Sequence, residues 1–106
     1  MIGRLRGTVA YKGSEGVLID VGGVGYQLQC PLTVMDRMPR LEQECTLSVH
    51  THVREDQITL YGFTDDDQKR LFRMLISVSN VGPKLGLGCL SGMDDEVLRG
   101  AISSGD

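Results

Sequence analysis

The sequence predicts a β + α chain, with five short strands over residues 1–63 followed by helices over 64–106. Three observations predict it. Apolar and polar residues alternate in short runs as far as Phe63, and after Thr64 the apolar spacing changes to three and four. The segment Val78-Ser79-Asn80-Val81-Gly82-Pro83-Lys84 then interrupts the helical pattern with a turn too short to be a catalytic loop.

The first strand is expected over Ile2–Val9, the second over Val17–Val21 and the third over Val24–Cys30. Gly22-Gly23 between the last two is a tight hairpin turn with free choice of φ sign. Pro31–Met38 is a short helical or irregular crossing closed by Pro39. Cys45–His52 alternates with Cys45, Leu47 and Val49 on one face, and Ile58–Phe63 supplies the fifth strand. Five strands with a crossing before the fourth fit a small, partly open barrel of the OB type. The pattern alone leaves another five-strand topology open.

Thr64 followed by Asp65-Asp66-Asp67 is a helix start, a capping hydroxyl and then carboxylates at the positive dipole end. Leu71, Phe72, Leu75 and Ile76 form its apolar stripe, leaving Lys69, Arg70 and Arg73 to solvent or a ligand. A second helix runs from Pro83, a residue suited to the first helical position, to Leu90, with Gly92 ending it. Met93–Ile102 is expected to form a third helix, and Ser103–Asp106 has a turn composition.

Composition narrows the function classes. The chain has 106 residues, one ordinary domain or a small domain with part of another, and no run approaches the roughly 18 apolar residues of a membrane span. No signal peptide is expected at Met1-Ile2-Gly3-Arg4. Cys30, Cys45 and Cys89 are scattered and odd in number, which suits small buried thiols in a reducing, cytoplasmic setting. A net charge of −3 argues against a general nucleic-acid sponge. If DNA is bound, backbone amides and a few placed cations must do much of the work.

Residues 78–84 offer that chemistry. A helix–hairpin–helix leaves four N–H groups and a positive dipole end at the start of its second helix, a place for a phosphate. Ser79, Asn80, Val81, Gly82, Pro83, Lys84 and Gly86 are the candidate DNA-backbone contacts, with Lys84 adding a charge-assisted bond. An ordinary αα-turn is the plain reading of the same residues. Arg54–Gln57 links two strands, so Glu55 and Asp56 are expected at a loop tip. His50 and His52 lack companion ligands, and structural or surface roles are expected for them, with no metal. Most of Tyr11, Tyr26, Tyr61, Phe63 and Phe72 are expected in the core, although any could stack bases. Gly13, Gly16, Gly22, Gly23 and Gly25 do not compose a nucleotide loop, so neither an enzyme site nor a cofactor is expected.

Met1–Gly7, Gly22–Tyr26, Val53-Arg54-Glu55-Asp56, Leu60–Phe63 and Val81–Leu85, in that order, resemble the RuvA family of Holliday-junction-recognition subunits. The resemblance extends over the whole chain. It implies an OB domain over 1–63 that tetramerises and faces the junction, and a helix–hairpin–helix DNA-binding domain over 64–106. It further implies a chain truncated before the second hairpin and the RuvB-binding domain, which is not expected to engage RuvB. The implied partners are four-way junction DNA and further copies of the chain, as a homotetramer or a two-ring octamer. The RuvB motor and RuvC resolvase belong to the full-length complex, and any ATPase belongs to RuvB.

The resemblance makes Glu55 and Asp56 an acidic pin near the four-fold axis, repelling phosphates and parting strands, with Arg54 as an auxiliary contact. The family hairpin usually has Gly where this chain has Asn80, a residue that tolerates the left-handed backbone. Gly86 and Gly88 replace residues that are usually small, often Ala. Each costs about 1 kcal/mol of helix propensity, which close packing of the two helices would explain. Two alternatives remain: an OB-fold module for single-stranded DNA, and an assembly domain that binds no nucleic acid.

Overall fold

The computed structural model describes residues 1–14, 16–78 and 81–92. Five strands, β1 (Arg4–Gly13), β2 (Gly16–Val21), β3 (Val24–Gln29), β4 (Glu44–Val53) and β5 (Ile58–Phe63), form a closed barrel in the order β1-β2-β3-β5-β4. The partly open barrel expected from the sequence is thus closed. All neighbours are antiparallel except β3 and β5, which meet in parallel through Leu28↔Leu60 and Gln29↔Tyr61. Gly22 and Gly23 turn the β2–β3 hairpin at φ 60 and 94, values that glycine adopts without steric cost.

β1 runs four residues past the expected Val9, because its register against β2 shifts between Val9 and Tyr11. An irregularity of this kind breaks the period-2 pattern while pairing continues. In the crossing, only Leu32–Met35 forms a helix, α1.

Among the described residues two helices follow the barrel, α2 (Asp66–Ser77) and α3 (Pro83–Gly92). Asp65, not the expected Thr64, caps α2: its carboxylate accepts the Gln68 N–H at 2.8 Å, and Gln68 Oε1 accepts the Thr64 N–H at 2.9 Å. A carboxylate at that position satisfies an orphan amide and also suits the dipole, so the helix begins one residue later. The expected third helix at 93–102 lies outside the described residues.

The described residues form two apolar clusters, and β5 serves both. Val9, Val17, Ile19, Leu28, Leu47 and Val49 fill the barrel. Tyr61 and Phe63, on the other face of β5, pack with Leu71, Phe72 and Leu75 of α2 and Leu90 of α3. Polar contacts tie the helices down around this second cluster. Ser48 Oγ donates to Asp66 Oδ1 at 2.6 Å, Lys69 Nζ donates to the Gly3 carbonyl at 3.2 Å, and the Leu32 N–H donates to Ser91 Oγ at 2.9 Å. No helix among the described residues is long and apolar enough to cross a membrane.

Candidate nucleic-acid interface

Val78 ends α2 in an extended conformation, with its N–H on the Leu75 carbonyl at 3.1 Å. The Val81 N–H returns to the Val78 carbonyl at 3.2 Å, and the Val81 side chain packs on the second cluster as an apolar anchor. The Gly82 carbonyl then accepts the Gly86 N–H at 2.9 Å, the first bond of α3. The N–H groups of Gly82, Lys84 and Leu85 have no partner among the described residues. Pro83, buried, has no N–H to offer, so the helix start presents one amide fewer than the four expected. Lys84 is exposed beside them. Ser79 and Asn80 lie outside the described residues.

Gly86 sits differently from the other candidate contacts. It is buried, its amide is engaged within α3, and a Cβ on it would lie 3.2 Å from both Ile76 Cγ2 and Phe72 Cε1. It is the point where α3 approaches α2. A Cβ on Gly88 would meet nothing within 4 Å, so the packing explanation holds for Gly86 and not for Gly88.

Arg54–Gln57 joins β4 to β5 as expected, closed by the Arg54 N–H on the Gln57 carbonyl at 2.7 Å. All four residues are exposed, and Glu55 and Asp56 make no ion pair with any described residue. Two carboxylates therefore stand free at one end of β5, while the chain leaves its other end for α2 and the hairpin.

The remaining candidates are placed mainly by packing. Tyr61, Phe63 and Phe72 are buried with ring centroids 5.0–5.1 Å apart across Phe72, while Tyr11 is 60% exposed. His50 lies between the barrel and α2, its ring 5.6 Å from that of Phe72 and 5.9 Å from that of His52, and its buried Nε2 has no partner among the described residues. Burial, and then the charges of Arg73, His52 and Lys69, hold its pKa below the ordinary value. Arg70 pairs with Asp67 at 3.2 Å, and Lys69 is drawn toward Gly3 and Asp66. The seam imidazole was not foreseeable, because no spacing in the sequence joins residue 50 to residue 72.

Residues 1–62 match the family model described as the RuvA N-terminal domain. Over 106 residues, all of this chain, it is 45% identical to the Holliday junction branch migration complex subunit RuvA of Methylobacterium radiotolerans, covering 52% of that protein. The RuvA of Alkalilimnicola ehrlichii is 48% identical over the whole chain, which covers 51% of it. That of Pseudomonas entomophila is 48% identical over 93% of the chain, which covers 49% of it. The chain thus spans about half the length of the curated relatives it matches.

Proposed function

The chain belongs to the RuvA N-terminal domain family, and on that basis we propose that it is a non-catalytic, structure-specific DNA-binding subunit that recognises four-way junctions. In this reading residues 1–63 assemble the ring and face the junction, and the segment from 64 grips DNA. Four copies hold the arms flat and open for branch migration powered by the RuvB ATPase in recombination and repair. Closed four-fold symmetry matches the substrate, so each copy applies one modest grip to one arm. RuvB and RuvC act with the full-length protein.

The observation that supports this most is the division of charge along the chain. Lys84 and the amides of Gly82, Lys84 and Leu85, which have no partner among the described residues, can each take a phosphate oxygen. Glu55 and Asp56, exposed on the β4–β5 loop and in no ion pair with a described residue, repel phosphate. A grip on each arm with repulsion at the centre lowers raw affinity and favours an open junction over continuous duplex. Arg54 moderates that repulsion at the edge of the pin. Ser79 and Asn80 are further backbone contacts in this reading, and Gly86 supports the grip by letting α3 close on α2. A barrel built to stack single strands would need several exposed rings; Tyr61, Phe63 and Phe72 are buried and Tyr26 half-buried, and of these five rings Tyr11 is the exposed one.

The test is a low-salt competition titration of a labelled four-way junction against linear duplex of equal length, with light scattering on the same sample. A tetramer that prefers the junction is expected. A folded chain that binds both DNAs equally would sink the recognition role and leave an assembly domain.

A further inference from the structure

Lys84 faces Ser14, Gln27 and Gln29 across a groove of about 440 Å³ between α3 and the barrel. Ser14 and Gln27 also line a trough of about 250 Å³ that continues along the barrel to Tyr11. Gly16 shapes the junction of the two. Its φ is +114, and a Cβ there would run into the Leu28 carbonyl oxygen, so only glycine lets the start of β2 lie this close to β3. At the far end the Tyr11 ring lies over Gly13, where a Cβ would come within 2.6 Å of its hydroxyl.

Among the described residues, the polar side chains lining the two stretches are one ammonium, two carboxamides, two hydroxyls and the Cys30 thiol. None of the side chains of Tyr11, Ser14, Gln27, Gln29 and Lys84 hydrogen-bonds to another described residue. Lys, Gln, Ser and Tyr side chains are donors of the kind that hold sugar–phosphate backbones.

We propose that this groove is the barrel's half of the DNA grip: the sugar–phosphate backbone held at Lys84 continues over Gln29, Gln27 and Ser14 toward Tyr11. The inference rests on the hairpin reading above and extends it from one helix start to a path across two elements. A carboxamide contributes a hydrogen bond to a phosphate oxygen but neutralises no charge. Removing it should weaken binding without changing the salt dependence, whereas removing Lys84 should change both.

Labelled duplex and four-way junction are titrated at several low salt concentrations with the 106-residue chain and three variants: Lys84→Ala, Gln27→Ala/Gln29→Ala and Gln27→Glu/Gln29→Glu. Both glutamines are exposed, and thermal unfolding checks that each variant keeps its fold. The alanine pair is expected to bind roughly threefold to tenfold more weakly with an unchanged salt slope, and the glutamate pair more weakly still. Lys84→Ala is expected to reduce the slope of log K against log salt by about one. If Lys84→Ala weakens binding while both glutamine pairs bind like the parent, the groove is not on the path and the hairpin reading stands. If Lys84→Ala binds like the parent, or the folded parent binds neither DNA, the hairpin reading fails and the groove with it.

Discussion

The backbone of Gly86 lies so close to the ring of Phe72 that a methyl group on it would sit 3.2 Å from Cε1. The first turn of α3, which carries Lys84, is thereby seated on α2, and α2 in turn is seated on β5 through Tyr61 and Phe63. The two helical glycines should therefore respond differently to alanine. Gly88→Ala meets open space and should gain about 0.5–1 kcal/mol from helix propensity. Gly86→Ala has the same gain to collect but must push Phe72 and Ile76 aside, so it should be the less stable of the two. Urea unfolding of both variants measures the difference; equal midpoints would show that the helix seam is slack.

His50 should make stability depend on pH in one direction. Burial first, then Arg73, His52 and Lys69, depress its pKa in the fold below the ordinary value of 6.5. The unfolded chain therefore binds the proton more readily. The contribution is complete above 6.5, drains as pH falls through that value, and levels off once the folded imidazole itself protonates. His50 Cε1–H should titrate below 6.5 by NMR. Between pH 7 and 5 the parent should lose stability faster than His50→Gln. A His50 pKa at or above 6.5 would mean that the seam admits water.

Burial pushes the Cys30 thiol up to about 12, with Cys45 adding to the rise and the Gly62 amide opposing it. At pH 8 roughly one such thiol in ten thousand is ionised, and alkylation proceeds through the thiolate. Cys30 should react with iodoacetamide at least about a hundredfold more slowly in the folded chain than in urea, as followed by peptide mass spectrometry. Comparable rates in both states would show that the barrel opens readily at this point.

Neutralising the acidic loop should strengthen binding and blunt selectivity together. Glu55→Gln/Asp56→Asn removes two exposed carboxylates that pair with no described residue and should raise linear-duplex affinity roughly threefold to tenfold at low salt, with a smaller gain on the junction. A parallel gain on both substrates would reduce the pair to a general electrostatic penalty.

Strands were legible wherever side chains alternated: Cys45–His52 and Ile58–Phe63 both fall within the observed β4 and β5. The extension of β1 was not, because the register shift after Val9 removes the alternation while pairing continues. Closure was hidden as well, since β1–β4 and β3–β5 pairing joins segments distant in sequence. The hairpin was visible as Gly-Pro-Lys before an apolar run. Packing took Gly86 out of the solvent-facing set, and the groove opposite Lys84 draws on residues 14, 27 and 29, which no local pattern links to residue 84.

β5 is six residues long and connects the acidic loop directly to the segment that begins α2. At about 3.3 Å per residue it sets a fixed span of about 20 Å between the two. Inserting one residue would turn Tyr61 and Phe63 from the helical cluster to the barrel interior, whereas inserting two would keep their facing and lengthen the span by about 7 Å. The strand is therefore a ruler graduated in pairs. Substitution can tune the acidic loop or the start of α2 separately, but their separation can change only by whole graduations.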